Sequence, residues 1–261
     1  MAKPDKIYRT EAIVLRRQNL GEADRILTLY TPDYGKVKVV AKGVRKPQSH
    51  KAGHVELFAR SDVLVARGRS SLDVLSQADL IDAFPPIRGD LIRTTYASHF
   101  VELLDAFTEE SDSSPPLYHL LADGLVWLGQ TTDLRRTARY YELHLLGLAG
   151  YRPELFTCVI CGEPIQARDQ FYSAADGGVI CPACGSGHPR AVPISLGALK
   201  VLRYMQTRPF EVVEALTLRP AVLAETERIL HSTLTYHLER RLKSAAFLKR
   251  LRREEAQRGS S

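Results

Sequence analysis

The chain has 261 residues, of which 44% are hydrophobic and 25% are charged, and its formal net charge is +6 at pH 7. This length predicts two or three modules, and the composition excludes a globally disordered chain. No stretch approaches the roughly 18 apolar residues of a membrane span, and residues 1–6 lack the apolar segment of a secretory signal. We therefore expect a cytoplasmic protein.

The positive charge is concentrated at the two ends of the chain. Residues 1–80 carry a net charge of +6 and residues 191–261 carry another +6, whereas residues 81–155 carry −5 and residues 156–190 carry −1. Two basic ends around an acidic middle favour a polyanionic partner. A merely solvated basic face is the alternative for either end.

The first 80 residues alternate between apolar and polar positions, as strands do. We predict five strands, over residues 7–17, 24–30, 36–41, 54–66 and 71–80. In the first strand, Ala12 and Val14 share one face, and Ile13 and Leu15 share the other. Residues 31–35 predict a turn, and residues 43–53 predict a basic loop. Five short strands in this length favour a small closed barrel of the OB type.

A helical period follows the proline pair at residues 85–86. We predict helices over residues 91–107, 117–128, 133–148, 196–206 and 220–253, with Ser195 as the N-cap of the fourth. A cysteine-containing segment interrupts this series. The sequence therefore predicts an α+β protein with three parts. These are an OB-fold nucleic-acid-binding domain at 1–80, a helical domain at 81–157 and 190–261, and a zinc-finger module at 158–189.

The four cysteines form two Cys-x-x-Cys pairs, which are Cys158 with Cys161 and Cys181 with Cys184. Two such pairs supply four thiolates to one tetrahedral ion, so we predict a Zn²⁺ site. A glycine follows each pair, at Gly162 and Gly185, where a positive φ would turn backbone N–H groups toward sulfur. A complete sulfur shell leaves no position for water, so the zinc should be structural. Two disulfides, two redox pairs, or His188 as a substitute ligand are the alternatives.

Two phosphate-binding patterns are absent from the sequence. Residues 34–37 contain Gly-Lys, but they lack the upstream glycine and the Ser or Thr of a phosphate loop. Residues 185–187 read Gly-Ser-Gly, but no glycine that opens a helix follows, as a dinucleotide site requires. We find no catalytic constellation and expect that the protein is not an enzyme.

Basic residues of the predicted barrel are candidates for binding a phosphate backbone. Lys36 and Lys38 share a strand face, and Lys42, Arg45 and Lys46 crowd the loop that follows. OB barrels bind single strands with such a face and loop, and with aromatic side chains that stack on bases. The candidate DNA-binding residues are Arg9, Arg16, Arg17, Arg25, Lys36, Lys38, Lys42, Arg45 and Lys46. The candidate stacking residues are Tyr8, Tyr30 and Tyr34, for which core packing is the alternative.

The chain resembles the bacterial RecO family of recombination mediators over residues 20–46, which read LGEADRILTLYTPDYGKVKVVAKGVRK. The resemblance continues through the two cysteine pairs to residues 237–244, so that it covers nearly the whole chain. It implies a protein that binds single- and double-stranded DNA and anneals complementary strands without ATP. With RecR, it would load the recombinase RecA onto strands coated by single-stranded DNA-binding protein (SSB). Such a protein would be associated with the nucleoid.

The resemblance also implies a role for the basic C-terminus, as a contact for a second strand or for the acidic C-terminal tail of SSB. The candidate residues are Arg240, Arg241, Lys243, Lys249 and Arg250. The neighbouring Leu242, Phe247 and Leu248 would form a groove for the apolar tip of that tail, and the alternative is that they are core residues. Because some family members lack the cysteines, the resemblance supports a structural role for the metal.

Two other functions use the same cysteines. One is a zinc-ribbon nucleic-acid-binding factor of transcription or RNA processing, which would need basic and aromatic residues between the cysteine pairs. Only Arg168, Phe171 and Tyr172 meet that need, against three acidic residues. The other is a zinc-dependent deaminase or hydrolase, because residues 54–56 read His-Val-Glu. That pattern also needs a proline before the second cysteine pair, where this chain has Ile180.

Overall fold

A computed structural model of the chain describes residues 6–68 and 72–238, together with Ser244 and Leu248. The chain forms two compact units, residues 1–130 and residues 131–261. The first two long helices therefore belong to the same unit as the barrel. The division into three domains that we predict from the sequence stays a prediction.

The first unit begins with a closed barrel of five strands, in the order β1-β2-β3-β5-β4. The strands are β1 (Ile7–Leu20), β2 (Asp24–Thr31), β3 (Gly35–Ala41), β4 (Arg60–Ala66) and β5 (Asp73–Asp82). All neighbouring strands are antiparallel except β3 and β5, which pair in parallel. This closed barrel confirms the predicted OB fold.

The middle of strand β1 is buried on both faces, whereas residues 16–20 at its end are exposed. Ala12 and Val14 lie in the barrel core, and Ile13 and Leu15 are also buried on the opposite face. The predicted strand over residues 54–66 is wrong in its first part, because Gly53–Val55 is a short 3₁₀ helix and the strand begins only at Arg60. Phe58 interrupts the extended backbone with a φ of +69°.

Three helices complete the first unit: α1 (Pro85–Arg88), α2 (Leu91–Phe107) and α3 (Pro115–Gln130). The carboxylate of Asp90 caps α2 by accepting the N–H groups of Ile92 and Arg93. Helix α3 begins two residues earlier than predicted, because prolines are tolerated in a first helical turn. The acidic segment between α2 and α3 lies alongside β3, and the N–H of its Ser111 donates to Lys36 O at 3.0 Å.

The second unit consists of helices and a three-stranded sheet of order β7-β6-β8. In chain order its elements are α4 (Leu134–Leu148), β6 (Gln170–Ser173), β7 (Gly178–Ile180), α5 (Pro182–Gly185), β8 (Val192–Ile194), α6 (Leu196–Thr207), α7 (Phe210–Glu214) and α8 (Pro220–Leu238). Ser195 caps α6 as predicted, since its Oγ accepts the Ala198 N–H at 3.2 Å. In the described part of the chain, no helix has the length and apolar character to cross a membrane.

Candidate metal centre and nucleic-acid interface

The four cysteines of the second unit converge on one point. The Sγ atoms of Cys158, Cys161, Cys181 and Cys184 all lie within 4.8 Å of one another, and no disulfide links them. The Sγ atoms of Cys161 and Cys181 are 3.9 Å apart. Four sulfurs bonded at about 2.3 Å to a tetrahedral ion lie about 3.8 Å apart. The cluster therefore fits a single metal ion.

Two backbone turns direct these thiols inward. In the first turn, the Gly162 N–H donates to Cys158 O at 2.8 Å, and Gly162 has the predicted positive φ, of +76°. In the second turn, the Gly185 N–H donates to Cys181 O at 2.8 Å, but Gly185 does not have a positive φ. That prediction is wrong, and the glycine is required for another reason. A Cβ at Gly185 would lie 2.4 Å from the ring of Phe171.

The cluster favours the thiolate form at one cysteine and opposes it at another. Burial raises the pKa of Cys158, but the backbone N–H groups of Cys161, Cys181 and Ile160 outweigh burial and lower it to about 6. Hydrogen bonds with the neighbouring thiols raise the pKa of Cys184. Additional negative charge in the cluster is thus unfavourable until a cation neutralises it.

No histidine or carboxylate joins the cysteines as a ligand within the part of the chain that the structure describes. The alternative ligand, His188, has its Nε2 atom 3.6 Å from a carboxylate oxygen of Asp176. Four sulfur ligands fill a tetrahedral shell, and a metal ion bound there would have no position for a reacting water. Nothing in this arrangement resembles the open site of a hydrolytic enzyme.

The cysteine module is bound to helices of its own unit by buried contacts. The hydroxyl of Tyr172 lies 2.9 Å from Thr233 Oγ1 of α8, and Tyr172 is fully buried. Arg203 of α6 donates its Nε–H to Leu155 O at 2.8 Å, immediately before the first cysteine pair. Tyr172 is therefore part of the core, although a nucleic-acid-binding ribbon would need it exposed.

Most of the predicted DNA-binding residues of the barrel form ion pairs with carboxylates of the first unit. The pairs are Arg9 with Asp62, Arg16 with Asp105, Arg17 and Arg25 with Glu56, and Lys38 with Glu110. The pairs of Arg9 and Lys38 are exposed, and exposed pairs contribute about 0–1 kcal/mol each, so a phosphate can replace their carboxylates. The Asp105 carboxylate that binds Arg16 is buried, and Glu56, which binds Arg17 and Arg25, is partly buried. An ion-paired cation therefore gains less free energy from binding a phosphate than an unpaired cation does. Sequence reasoning missed these partners because they lie far away along the chain.

Lys36 has a different environment from the other candidate cations. Its side chain is buried, and its Nζ donates to Asp105 O at 2.8 Å, to Asp105 Oδ1 at 3.0 Å and to Thr108 O at 2.6 Å. An ammonium group has three donors, and all three are used here. Lys36 therefore joins β3 to the C-terminal end of α2. We leave it out of the proposed DNA-binding surface.

Among the candidate cations of the barrel, those in the loop after β3 have the fewest partners. Lys42, Arg45 and Lys46 are exposed, and none of them pairs with a carboxylate of the described residues. The guanidinium of Arg45 donates to Gly21 O at 2.9 Å. The Lys46 N–H donates to Gly43 O at 3.1 Å, which closes a turn. We call these three cations the β3 loop cluster.

The three tyrosines considered for base stacking are all buried or partly buried. Tyr30 is fully buried and Tyr8 is 7% exposed, which confirms core packing for both. Tyr34 is partly buried, and its ring centroid lies 4.1 Å from that of Tyr8. Burial, followed by the nearby Asp73 carboxylate, raises the pKa of Tyr8. These rings are not exposed platforms for bases.

The basic C-terminal candidates lie outside the described residues. They are Arg240, Arg241, Lys243, Lys249 and Arg250, and the apolar neighbours Leu242 and Phe247 are also outside. The third apolar neighbour, Leu248, is described and is 3% exposed. Leu248 is thus a core residue in this structure.

Comparisons with known proteins identify both halves of the chain. The family model described as "Recombination protein O N terminal" matches residues 4–84, and the model described as "Recombination protein O C terminal" matches residues 88–246. The chain is 41% identical over 244 residues to "DNA repair protein RecO" of Roseiflexus sp. (strain RS-1), which covers 94% of this chain and 86% of that protein.

Other relatives agree over nearly their full length. "DNA repair protein RecO" of Dehalococcoides mccartyi (strain ATCC BAA-2266 / KCTC 15142 / 195) is 37% identical over 97% of this chain and 99% of its own length. The protein of the same description from Pelotomaculum thermopropionicum is 40% identical over 94% of each chain. The chain therefore belongs to the RecO family, which acts in DNA repair and recombination.

Proposed function

We propose that this protein is a recombination mediator that binds single- and double-stranded DNA and anneals complementary strands without ATP. With RecR, it would help to load RecA onto strands coated by SSB, in the cytoplasm at the nucleoid. Family membership supports the role in repair. The β3 loop cluster is the main support for DNA binding, because it presents exposed cations beside an OB barrel.

Annealing suits a protein of this construction. The reaction makes and breaks no covalent bond, so it needs no nucleophile or general base. It needs phosphate charge to be neutralised on two strands while their base edges stay free to pair. Lys42, Arg45 and Lys46 would contact phosphates directly, and the ion-paired cations around them would add weaker contacts by exchanging a carboxylate for a phosphate.

We propose that the metal ion is zinc and that its role is structural. Four thiolates in a tetrahedral arrangement are typical of structural zinc, and a complete sulfur shell excludes catalysis at the ion. Cys158, Cys161, Cys181 and Cys184 would hold it. Bound zinc would supply the positive charge that the clustered thiols require.

The basic C-terminus completes the proposal. Arg240, Arg241, Lys243, Lys249 and Arg250 would contact a second strand or the acidic tail of SSB. Both partners are anionic, and residues 240–250 contain these five cations and no acidic residue, so this segment would attract either one.

The β3 loop cluster gives a direct test of DNA binding. We expect the combined change Lys42→Ala, Arg45→Ala and Lys46→Ala to weaken binding of a single strand. The slope of log K against log salt should fall by roughly 2, because each lost phosphate contact on a single strand removes about 0.7. Titrations of a labelled oligonucleotide at several salt concentrations measure this slope.

The matched control is the combined change Arg9→Ala, Arg17→Ala and Lys38→Ala. It removes the same net charge, but from cations that carboxylates already neutralise. The control should therefore lower the slope less than the loop variant does. An unchanged slope in the loop variant, or an equal loss in the control, would remove the β3 loop cluster from the DNA interface.

A further inference from the structure

Helix α6 presents a basic stripe on its outer face. Lys200, Arg203, Tyr204, Thr207 and Arg208 follow the i, i+3, i+4, i+7, i+8 spacing of one helical face, and Arg208 is the C-cap. The opposite face of α6 is buried through Ala198, Leu199, Leu202 and Met205. Residues 196–208 contain no acidic side chain. The stripe is thus basic along its whole length.

These cations differ from the ion-paired cations of the barrel in having no carboxylate partner among the described residues. Lys200 and Arg208 are exposed, and neither forms an ion pair with any described residue. Arg152 is also exposed, and it lies next to α6 because Gln206 donates its Nε2–H to Pro153 O at 2.9 Å. The positive charge of these three side chains is therefore available to an external anion.

The carboxylate of Glu154, in the segment next to α6, already accepts hydrogen bonds from the backbone. It accepts the N–H groups of Phe156 at 2.7 Å and of Thr157 at 2.9 Å. The hydrogen bond from the Phe156 N–H lowers the pKa of Glu154 most, and the bond from the Thr157 N–H lowers it further. Together they outweigh burial, which raises this pKa. Glu154 organises the approach to the first cysteine pair and forms no ion pair with α6 among the described residues.

Two aromatic rings alternate with the cations. The guanidinium of Arg203 lies 5.0 Å from the ring centroid of Phe156, and Phe156 is 44% exposed. The guanidinium of Arg208 lies 5.9 Å from the ring centroid of Tyr204. Aromatic rings and arginine planes are the surfaces on which unpaired bases stack, and this stacking tolerates any sequence.

We propose that this α6 basic face binds a second single strand of DNA through its phosphates. We define the face as Arg152, Lys200, Arg203 and Arg208, with Phe156 and Tyr204. From Lys200 to Arg208 the helix axis rises about 12 Å. At about 3.4 Å per phosphate, the spacing along each strand of stacked B-form DNA, this length corresponds to roughly three phosphates. The inference rests on the proposed function, and it gives the second unit its own strand-binding site.

The test separates the second strand from the first. The protein is saturated with an unlabelled strand of about 16 nucleotides, the upper end of what one OB fold covers. A labelled, non-complementary strand is then titrated in, and its anisotropy is measured at several salt concentrations. The variant combines Arg152→Gln, Lys200→Gln and Arg208→Gln. Arg203 is left unchanged, because its hydrogen bond to Leu155 O is part of the fold.

We expect this variant to bind the first strand as the unchanged protein does. The second strand should bind at least about tenfold more weakly, with a salt slope lowered by roughly 2, because three phosphate contacts are lost. Annealing should be slower. The control variant, with Arg168→Gln, Arg190→Gln and Arg219→Gln, removes the same charge from exposed positions of the same unit and should behave like the unchanged protein.

Any one of three results would overturn the inference. The first is an unchanged protein that binds only one strand, and the second is an α6 variant that keeps its second-strand binding. The third is a control variant that loses as much second-strand binding as the α6 variant. If the α6 variant lost binding of an acidic peptide but kept the second strand, the face would belong to a protein partner instead. A protein that binds no DNA at all would contradict the proposed function. Second-strand binding that survives in the α6 variant, or is lost equally in the control, contradicts only the role of α6.

Discussion

Replacing Cys161 by serine is expected to unfold the sheet of the second unit and to lower the thermal midpoint of the protein. The side chain of Cys161 is exposed, so its replacement removes a metal ligand without disturbing a packed core. Structural zinc in isolated finger peptides binds with an apparent free energy of about 10–16 kcal/mol, and binding of this kind is coupled to folding. A strong chelator should have the same effect on the unchanged protein.

The effect should extend from the cysteines to the helices around them. Tyr172 of β6 contacts Thr233 of α8, and Arg203 of α6 binds the backbone just before the first cysteine pair. Thermal unfolding followed by circular dichroism, together with the metal content and a count of reactive thiols, measures the outcome. The control is His188→Ala, which lies beside the cluster but faces Asp176 and should keep the metal.

Two results would contradict the structural role. One is a Cys161→Ser protein that loses the metal but keeps its full stability. The other is a fully folded Cys161→Ser protein that has selectively lost DNA binding, which would place the metal site at the nucleic-acid interface.

The change Lys36→Met should destabilise the first unit strongly. Methionine has nearly the shape of lysine, but it cannot donate the three hydrogen bonds to Asp105 and Thr108. Removing one partner of a buried ion pair costs about 3–5 kcal/mol, because the other charge stays buried without compensation. Here Arg16 also contacts Asp105, so we expect the lower end, about 3 kcal/mol, in the free energy of unfolding measured with urea.

Lys38→Met is the matched control for that change. Lys38 is on the same strand, but its pair with Glu110 is exposed and should contribute less than about 1 kcal/mol. The salt slope for DNA should stay unchanged in Lys36→Met under conditions where the protein is folded. A stable Lys36→Met protein with a reduced slope would return Lys36 to the DNA interface.

The barrel shows what alternation in a sequence can predict. Apolar residues at every second position, with a turn at residues 31–35, are enough to place strands β1 to β3 within a few residues. The same period puts Lys36 and Lys38 on one outer face. It does not reveal that the end of α2 covers the first of them, because that contact joins residues far apart in the chain.

The metal site was predictable because its signal is local. Four cysteines in two short pairs specify the ligands, and the structure brings all four together. The role of Gly185 was not predictable, because the reason for a glycine in α5 is the ring of Phe171 in strand β6. Strands β6 to β8 were missed because three or four residues are too few to show a period.

The basic residues show the same limit of sequence-based prediction, because their ion-pair partners are distant in the chain. Counting charge along the chain correctly locates a basic barrel, but it treats Arg17 and Lys42 as equivalent. The structure separates them, because Glu56 binds Arg17 whereas Lys42 has no carboxylate partner among the described residues. Likewise, the basic stripe of α6 becomes visible only when the burial of its opposite face is known.

Strand annealing by the full-length protein tests the central claim most directly. Complementary oligonucleotides are mixed at low salt with the purified protein and no nucleotide, and duplex formation is followed by fluorescence quenching. We predict that the protein accelerates annealing to the same extent with and without ATP, and that rising salt suppresses the acceleration. A purified, folded, metal-loaded protein that leaves the rate unchanged, or that needs ATP, would contradict the account.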